Sequence, residues 1–275
     1  MTKEEFFSRF SLPAEPNYVP QGRERELFSA AHTAAIPLIL KGPTGCGKTR
    51  FIEAMAYAHD LPLVTVSCHE DLTSGDLVGR FLFKNNETVW QDGPLTLAVR
   101  YGGICYLDEI VEARKDTTVL IHSLSDDRRR LYIDKTGEVL TASPRFMMIL
   151  SYNPGYQSVV KELKQSTLQR FAALRFDHPE VETESEIIRS ESRVSPDTAH
   201  KLAEMGARLR GLRDYGLQEG VSSRLLVYAA RLMVTGIGSY EACRQAITDV
   251  IAEDEEVRTS VDDVIRLYFG ELISN

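Results

Sequence analysis

The chain has 275 residues, 43% hydrophobic and 26% charged, which fits a soluble globular protein of one large domain or two modest ones. Its net charge of −8 argues against a broad nucleic-acid interface as the main role. No apolar run approaches the ~18 residues of a membrane span, and Met1-Thr2-Lys3-Glu4-Glu5-Phe6-Phe7 lacks the pattern of a secretory signal, so neither membrane nor export is expected and a cytoplasmic protein is.

In chain order, Ile36–Leu40 reads as a buried strand and Thr49–Ala58 as a helix. Between them, Gly42-Pro43-Thr44-Gly45-Cys46-Gly47-Lys48-Thr49 fits G-x-x-x-x-G-K-[ST], the phosphate-binding loop of nucleoside triphosphatases. Glycines let the backbone wrap phosphates where a Cβ would block the dihedrals. The loop N–H groups and the helix start present positive ends to the anion. Lys48 can reach the β- and γ-phosphates and the Thr49 hydroxyl can ligate Mg²⁺, so ATP and Mg²⁺ are the expected ligands. A chance glycine-rich turn is the bland alternative. Cys46 reads as a small filler in the loop. With Cys68, Cys105 and Cys243 it forms no C-x-x-C pair, and all four are expected as reduced thiols. The six histidines are scattered without zinc-ligand spacing.

Further strands are expected at Leu61–Ser67, Gly103–Leu107, Phe146–Tyr152 and Leu174–Phe176, with helical patterns between them. That alternation predicts an α/β fold with a parallel sheet. Phe81–Trp90, turning at Lys84–Glu87, and Leu131–Leu140, turning at Lys135–Gly137, read as two hairpins beyond a minimal nucleotide-binding sheet. Phe81, Phe83 and Trp90 could grip a polypeptide or pack on their own domain. Arg128-Arg129-Arg130 follows Asp126-Asp127 and reads as a solvated turn of mixed charge. After about His178 the alternation stops. Glu180–Glu191 is acidic and polar, then Asp197–Leu212, Ser222–Gly236, Tyr240–Ala252 and Ser260–Leu272 carry helical periodicity. Residues 1–180 are therefore expected to form the nucleotide-binding domain and 181–275 a small helical one.

Ile104–Leu107 runs into Asp108 and Glu109. Asp108 is suited to hold Mg²⁺, directly or through water, and Glu109 to orient and polarise the attacking water. Asn153 ends the next strand, where it could bond the γ-phosphate or the lytic water. Asn153-Pro154 is also a common turn dipeptide.

The order of Gly42–Thr49, Asp108-Glu109, Asn153 and Arg170-Phe171 resembles an AAA+ ATPase, and the two hairpins with Asp71–Gly79 resemble its MoxR group. Lys41–Phe51, Glu87–Leu95, Asp134–Leu140 and Ser151–Ser158 are similar to the CbbQ/NirQ/NorQ branch, a likeness running from about Tyr18 onward. The resemblance implies a P-loop AAA+ parallel sheet with flanking helices and two inserted hairpins, followed by a helical lid. It implies a homohexamer with ATP at subunit boundaries, Arg170 as the finger given to the neighbouring subunit, and Arg224 as the lid arginine, with Arg231 the weaker candidate. Val19 and Gln21 match the segment that borders the adenine. The implied partner is a CbbO-like protein with a von Willebrand factor A domain. The implied client is rubisco, freed of tight-binding sugar phosphates, or alternatively nitric oxide reductase during maturation.

Overall fold

A computed structural model describes residues 1–154, 163–211 and 220–270. Two compact units emerge: Met1–Pro16, Gly22–Pro43 and Lys48–Phe176 form the first, while Asn17–Gln21, Thr44–Gly47 and the chain from Asp177 form the second.

The first unit contains α1 (Lys3–Phe10), α2 (Glu24–Thr33), β1 (Leu38–Lys41), α3 (Lys48–Ala58), β2 (Leu63–Ser67), α4 (Ser74–Val78), β3 (Gly79–Lys84) and β4 (Glu87–Asp92). It continues with α5 (Pro94–Tyr101), β5 (Ile104–Asp108), α6 (Lys115–Leu124), β6 (Arg130–Ile133), β7 (Glu138–Thr141), β8 (Met147–Tyr152), α7 (Gln165–Leu168) and β9 (Ala172–Arg175). Five strands make one parallel sheet in the order β2-β5-β8-β1-β9. All six residues of β8 are buried. Its unbroken apolar run reflects a parallel strand covered on both faces. β2, at an edge, mixes buried and exposed positions instead.

Strand limits shift for local reasons. β1 starts at Leu38, not Ile36, because the chain turns at Ala35 (φ 56°) and Pro37 has no N–H to donate. The last strand lies at Ala172–Arg175, earlier than Leu174–Phe176. Three of its four residues are exposed, so this edge strand carries little apolar signal.

The expected hairpins are the antiparallel pairs β3-β4 and β6-β7. Asn85 and Asn86 take φ of 50° and 64°, the positive values a two-residue hairpin turn needs. Arg100 on α5 anchors both hairpins. Its Nε donates to Asp92 of β4 at 2.9 Å and its two terminal nitrogens to Glu138 of β7 at 2.7 and 2.9 Å. The Trp90 indole also donates to Asp92, at 2.8 Å. Phe81 meets Trp90 edge-on with centroids 5.2 Å apart, whereas Phe83 is 73% exposed. Phe81 is nonetheless 48% exposed, so of the three aromatics only Trp90 is half-buried. Arg128 pairs with Asp126 and Arg129 donates to the Phe146 carbonyl, while Arg130 is the exposed first residue of β6.

The second unit is helical: α8 (Val181–Ser192), α9 (Pro196–Arg210), α10 (Ser223–Val234), α11 (Ser239–Cys243), α12 (Asp249–Ile251) and α13 (Glu255–Phe269). Ser195, Ser222 and Asp254 cap α9, α10 and α13 with side-chain acceptors, which fixes where those helices start. The Asp254 cap sets the last helix off at Glu255, before the expected Ser260. Leu272 and Leu212, the expected ends of two helices, lie outside the described residues. The Tyr240–Ala252 stretch is broken by a π-helical turn at Arg244–Thr248. The acidic Glu180–Glu191 stretch is helix α8, its buried stripe consisting of Glu184, Ile188 and Ser192. Among the described residues no helix is long and apolar enough to cross a membrane.

Two outcomes test the packing. A Cβ on Gly93 would sit 2.4 Å from the Leu77 carbonyl oxygen, a backbone atom that cannot swing away. Gly93→Ala should lower stability by about 1–3 kcal/mol in urea denaturation; an unchanged midpoint would contradict the packing. Burial pushes the thiols of Cys105 and Cys243 up to about 12, and burial with the charges of Asp108 and Glu109 does the same to Cys68. A raised pKa cuts the reactive thiolate, so at pH 8 these three should resist a thiol-specific reagent until denaturant is added. Rapid labelling of more than one cysteine in the native protein would be inconsistent with that burial.

Candidate nucleotide-hydrolysis site

The strand order brings three chain ends side by side. β8 lies between β5 and β1, with Leu107 beside Leu150 and Tyr152 beside Lys41. All run in parallel, so Asp108-Glu109, Asn153 and the start of the phosphate loop leave the same end of the sheet. Ligands bind at the carboxyl ends of such strands.

Gly42 follows β1, and a Cβ there would lie 2.4 Å from the Phe176 carbonyl oxygen. Only glycine lets the loop leave the sheet this close to its neighbour. Gly45 and Gly47 take φ of 72° and 99°. Lys48 opens α3 and is 7% exposed. Its Nζ donates to the carbonyls of Gly42 and Pro43 at 2.8 Å each, which holds the ammonium across the mouth of the loop. Thr49 follows on the first turn of the helix.

Asp108 is held by two hydroxyls that the sequence reading missed. The Tyr106 phenol donates to its Oδ1 at 2.7 Å, and the Ser151 hydroxyl donates to the same oxygen. Burial, then the charge of Asp108, raises the Tyr106 phenol above its ordinary value and keeps it a neutral donor. Ser151 also accepts from the Glu109 N–H at 3.3 Å. Glu109 itself sits in the left-handed region, with φ 54° and ψ 48°. For a non-glycine residue that is a strained turn worth roughly 1–3 kcal/mol, a cost met most often at functional sites. Asn153 is 7% exposed at the end of β8. Gly155–Ser158, quoted above within a longer motif, lies outside the described residues.

Arg170 lies elsewhere. It precedes β9, whose first residue pairs with Leu38, the first residue of β1. It therefore sits at the amino end of the sheet, away from Asp108, Glu109 and Asn153. It donates to the His122 carbonyl at 3.3 Å.

In the second unit, the Gln21 side chain donates to the Cys46 carbonyl at 3.3 Å. A Cβ on Gly45 would come within 2.5 Å of the Ser222 Cβ. Val19 is half-buried, and Arg224 is exposed on the first turn of α10. Arg231 pairs with Glu191 at 2.9 Å, which removes it as the freer of the two arginines.

No cluster of three or more His, Cys, Asp or Glu side chains among the described residues could cage a metal. One hydroxyl and one carboxylate, completed by phosphates and water, suit a hard divalent cation such as Mg²⁺. The donor set thus fits a metal–nucleotide complex. Ser151→Ala removes one of the two hydroxyls on Asp108 Oδ1 and, with it, the hydroxyl that accepts from the Glu109 N–H. Nucleotide turnover should fall about 5- to 150-fold if ~1–3 kcal/mol of support is lost at the reacting centre, and the melting temperature should drop by a few degrees. Wild-type turnover in Ser151→Ala would remove the proposed support of Asp108.

Comparison with known proteins agrees with this geometry. Residues 37–171 match the AAA domain (dynein-related subfamily), and residues 184–268 match the CbbQ/NirQ/NorQ C-terminal domain. Protein CbbQ of Hydrogenophilus thermoluteolus is 55% identical over 96% of this chain and 98% of its own length. Denitrification regulatory protein NirQ of Pseudomonas aeruginosa is 51% identical over 93% of this chain and 98% of its own. Protein NorQ of Paracoccus denitrificans is 52% identical over 93% and 94%. Among solved structures, the Thermotoga maritima RuvB P216G mutant shares the fold with a TM-score of 0.54 at 16% identity, covering 92% of this chain and 73% of that one. A putative ATPase from Cytophaga hutchinsonii does so with a TM-score of 0.51 at 15% identity, covering 96% and 92%. With its phosphate loop, its strand-end acids and these relatives, the chain belongs to the CbbQ/NirQ/NorQ family of AAA ATPases.

Proposed function

We propose that this chain is an ATP-driven protein-remodelling motor that works in the cytoplasm as a homohexameric ring, each ATP lying at a subunit boundary. Residues 1–180 form its nucleotide-binding domain and 181–275 its lid. The observation that carries this reading is the separation of Arg170 from the chain's own acids. β1 and β9 are four-residue strands spanning about 13 Å at ~3.3 Å per residue, with Arg170 at one end and the hydrolytic residues at the other. An arginine so arranged suits a neighbour's site.

Gly42, Thr44, Gly45, Cys46 and Gly47 wrap the phosphates with backbone N–H groups, and Pro43, which has no N–H, shapes the loop between them. Lys48 neutralises the β- and γ-oxygens, and Thr49 and Asp108 hold Mg²⁺, with Tyr106 and Ser151 fixing the Asp108 carboxylate. Bound Mg²⁺ supplies charge neutralisation at the phosphates. Glu109 accepts a hydrogen bond from the attacking water and polarises it. Asn153 orients that water or the γ-phosphate. The neighbour's copy of Arg170 balances charge as the bond to the leaving group breaks, an effect of ~10³–10⁵ in rate. Arg224 reports the γ-phosphate to the lid, and Val19 and Gln21 border the adenine.

The client we propose is inhibited rubisco, released from tight-binding sugar phosphates with the help of a CbbO-like protein bearing a von Willebrand factor A domain. This rests on the likeness to Protein CbbQ at 55% identity. The likeness to NirQ and NorQ, at 51% and 52%, supports a second reading in which the same motor assists nitric oxide reductase maturation. Neither nucleic acid nor membrane has a role in either.

Lys48→Ala should lose nucleotide binding or turnover. Glu109→Gln should bind ATP without hydrolysing it and retain its client. Purified from its native host with ATP, that variant should bring down rubisco and a von Willebrand factor A protein. Nitric oxide reductase subunits in their place would move the assignment to the second reading. Rings mixed from Arg170→Ala and Glu109→Gln subunits should regain measurable turnover, because some boundaries pair an intact Glu109 with an intact Arg170. Absence of rescue in well-mixed rings would contradict action across the boundary.

A further inference from the structure

Glu184 is a fully buried carboxylate in the middle of the helical unit. A buried charge is tolerated only when paired and hydrogen-bonded, and an apolar pair of similar volume often stabilises a core as well. The bonds around Glu184 are arranged with a direction that apolar packing lacks. Arg210 of α9 grips both carboxylate oxygens, at 2.7 and 2.5 Å. Its remaining donor, Nε, bonds the Val221 carbonyl at 2.7 Å. The Ser223 hydroxyl donates to Glu184 Oε1. One ion pair, built on α8 and α9, thereby holds the residues on both sides of Ser222.

Ser222 caps α10 through the Leu225 N–H and is the residue that a Cβ on Gly45 would strike. Arg224 stands two residues further on, exposed. The first turn of α10 thus carries a surface set against a phosphate-loop glycine and a free-standing guanidinium. Both depend on the direction in which the chain enters that turn.

We propose that Glu184, Arg210 and Ser223 are positioning residues for nucleotide turnover: through the first turn of α10 they fix Arg224 and the Ser222 surface against Gly45. This rests on the reading of Arg224 as the lid arginine. The three residues touch no nucleotide themselves.

The test is a double-mutant cycle on ATP turnover by the full chain. Ser223→Ala removes one donor and leaves the ion pair intact. It should lower kcat roughly three- to tenfold, the scale on which residues of one hydrogen-bonded network couple. Ser223→Thr, which keeps the hydroxyl, should restore it. In an Arg224→Ala background Ser223→Ala should cost nothing further, because the group it positions is gone. Arg210→Lys, which keeps the charge but loses the fork, should follow the same cycle and serves if Ser223→Ala proves unstable. Losses that multiply in the double variant, or wild-type turnover in Ser223→Ala, would overturn the positioning role while leaving Arg224 in place. Wild-type turnover in Arg224→Ala would overturn the reading of Arg224 itself, and the proposal with it.

Discussion

Pairing of β8 with β5 on one side and β1 on the other is the constraint from which the site follows. A parallel sheet aligns strand ends as well as strand bodies. Inserting β8 between the acidic strand and the phosphate-loop strand sets Asn153 between Asp108 and Gly42. It also sets Ser151 beside Asp108, close enough to donate to the carboxylate while accepting from the Glu109 N–H. Without β5 as its neighbour, β8 would supply neither contact. The apolar run of Met147–Leu150 that drives this insertion contributes no chemistry of its own. It secures the chemistry by being buried on both faces.

The same parallel register sets Arg170 apart from the chain's own acids. Parallel strands send all carboxyl ends one way, so a residue just before a strand lies at the far end from residues just after one. Arg170 comes before β9; Asp108, Glu109 and Asn153 come at or after the ends of β5 and β8. In the function proposed above, the charge that develops at the leaving phosphate is met by a second chain. In the helical unit the governing interaction is also electrostatic but internal, with Glu184 and Arg210 neutralising each other where water is excluded. Most other ion pairs of the described residues are considerably more exposed and contribute little to stability.

The sequence disclosed the parts of the site whose chemistry dictates residue type. A phosphate loop is a backbone shape, so glycines at fixed spacing announce it, and Asp108-Glu109 is conspicuous at the end of an apolar run. Tyr106 and Ser151 were not legible, because a tyrosine and a serine inside buried strands read as ordinary core until register shows which carboxylate they face. Helix α8 was missed because its buried stripe contains Glu184, so the usual apolar periodicity is absent. β9 was displaced because an edge strand with exposed Ala172, Ala173 and Arg175 needs little hydrophobicity. The π-turn at Arg244–Thr248 left the helical period of Tyr240–Ala252 intact at sequence level, since one added residue per turn is invisible in so short a run. The role proposed for Arg170 rests on resemblance, and its distance from the acids is visible only in the strand order.

The most direct measurement of the central claim is ATP turnover per subunit as a function of protein concentration, alongside the molecular mass by light scattering. If each site is completed by the neighbouring subunit, specific activity should rise with concentration in step with ring formation and vanish in the dilute monomer. Full turnover per subunit under conditions where only monomers are present would contradict the account.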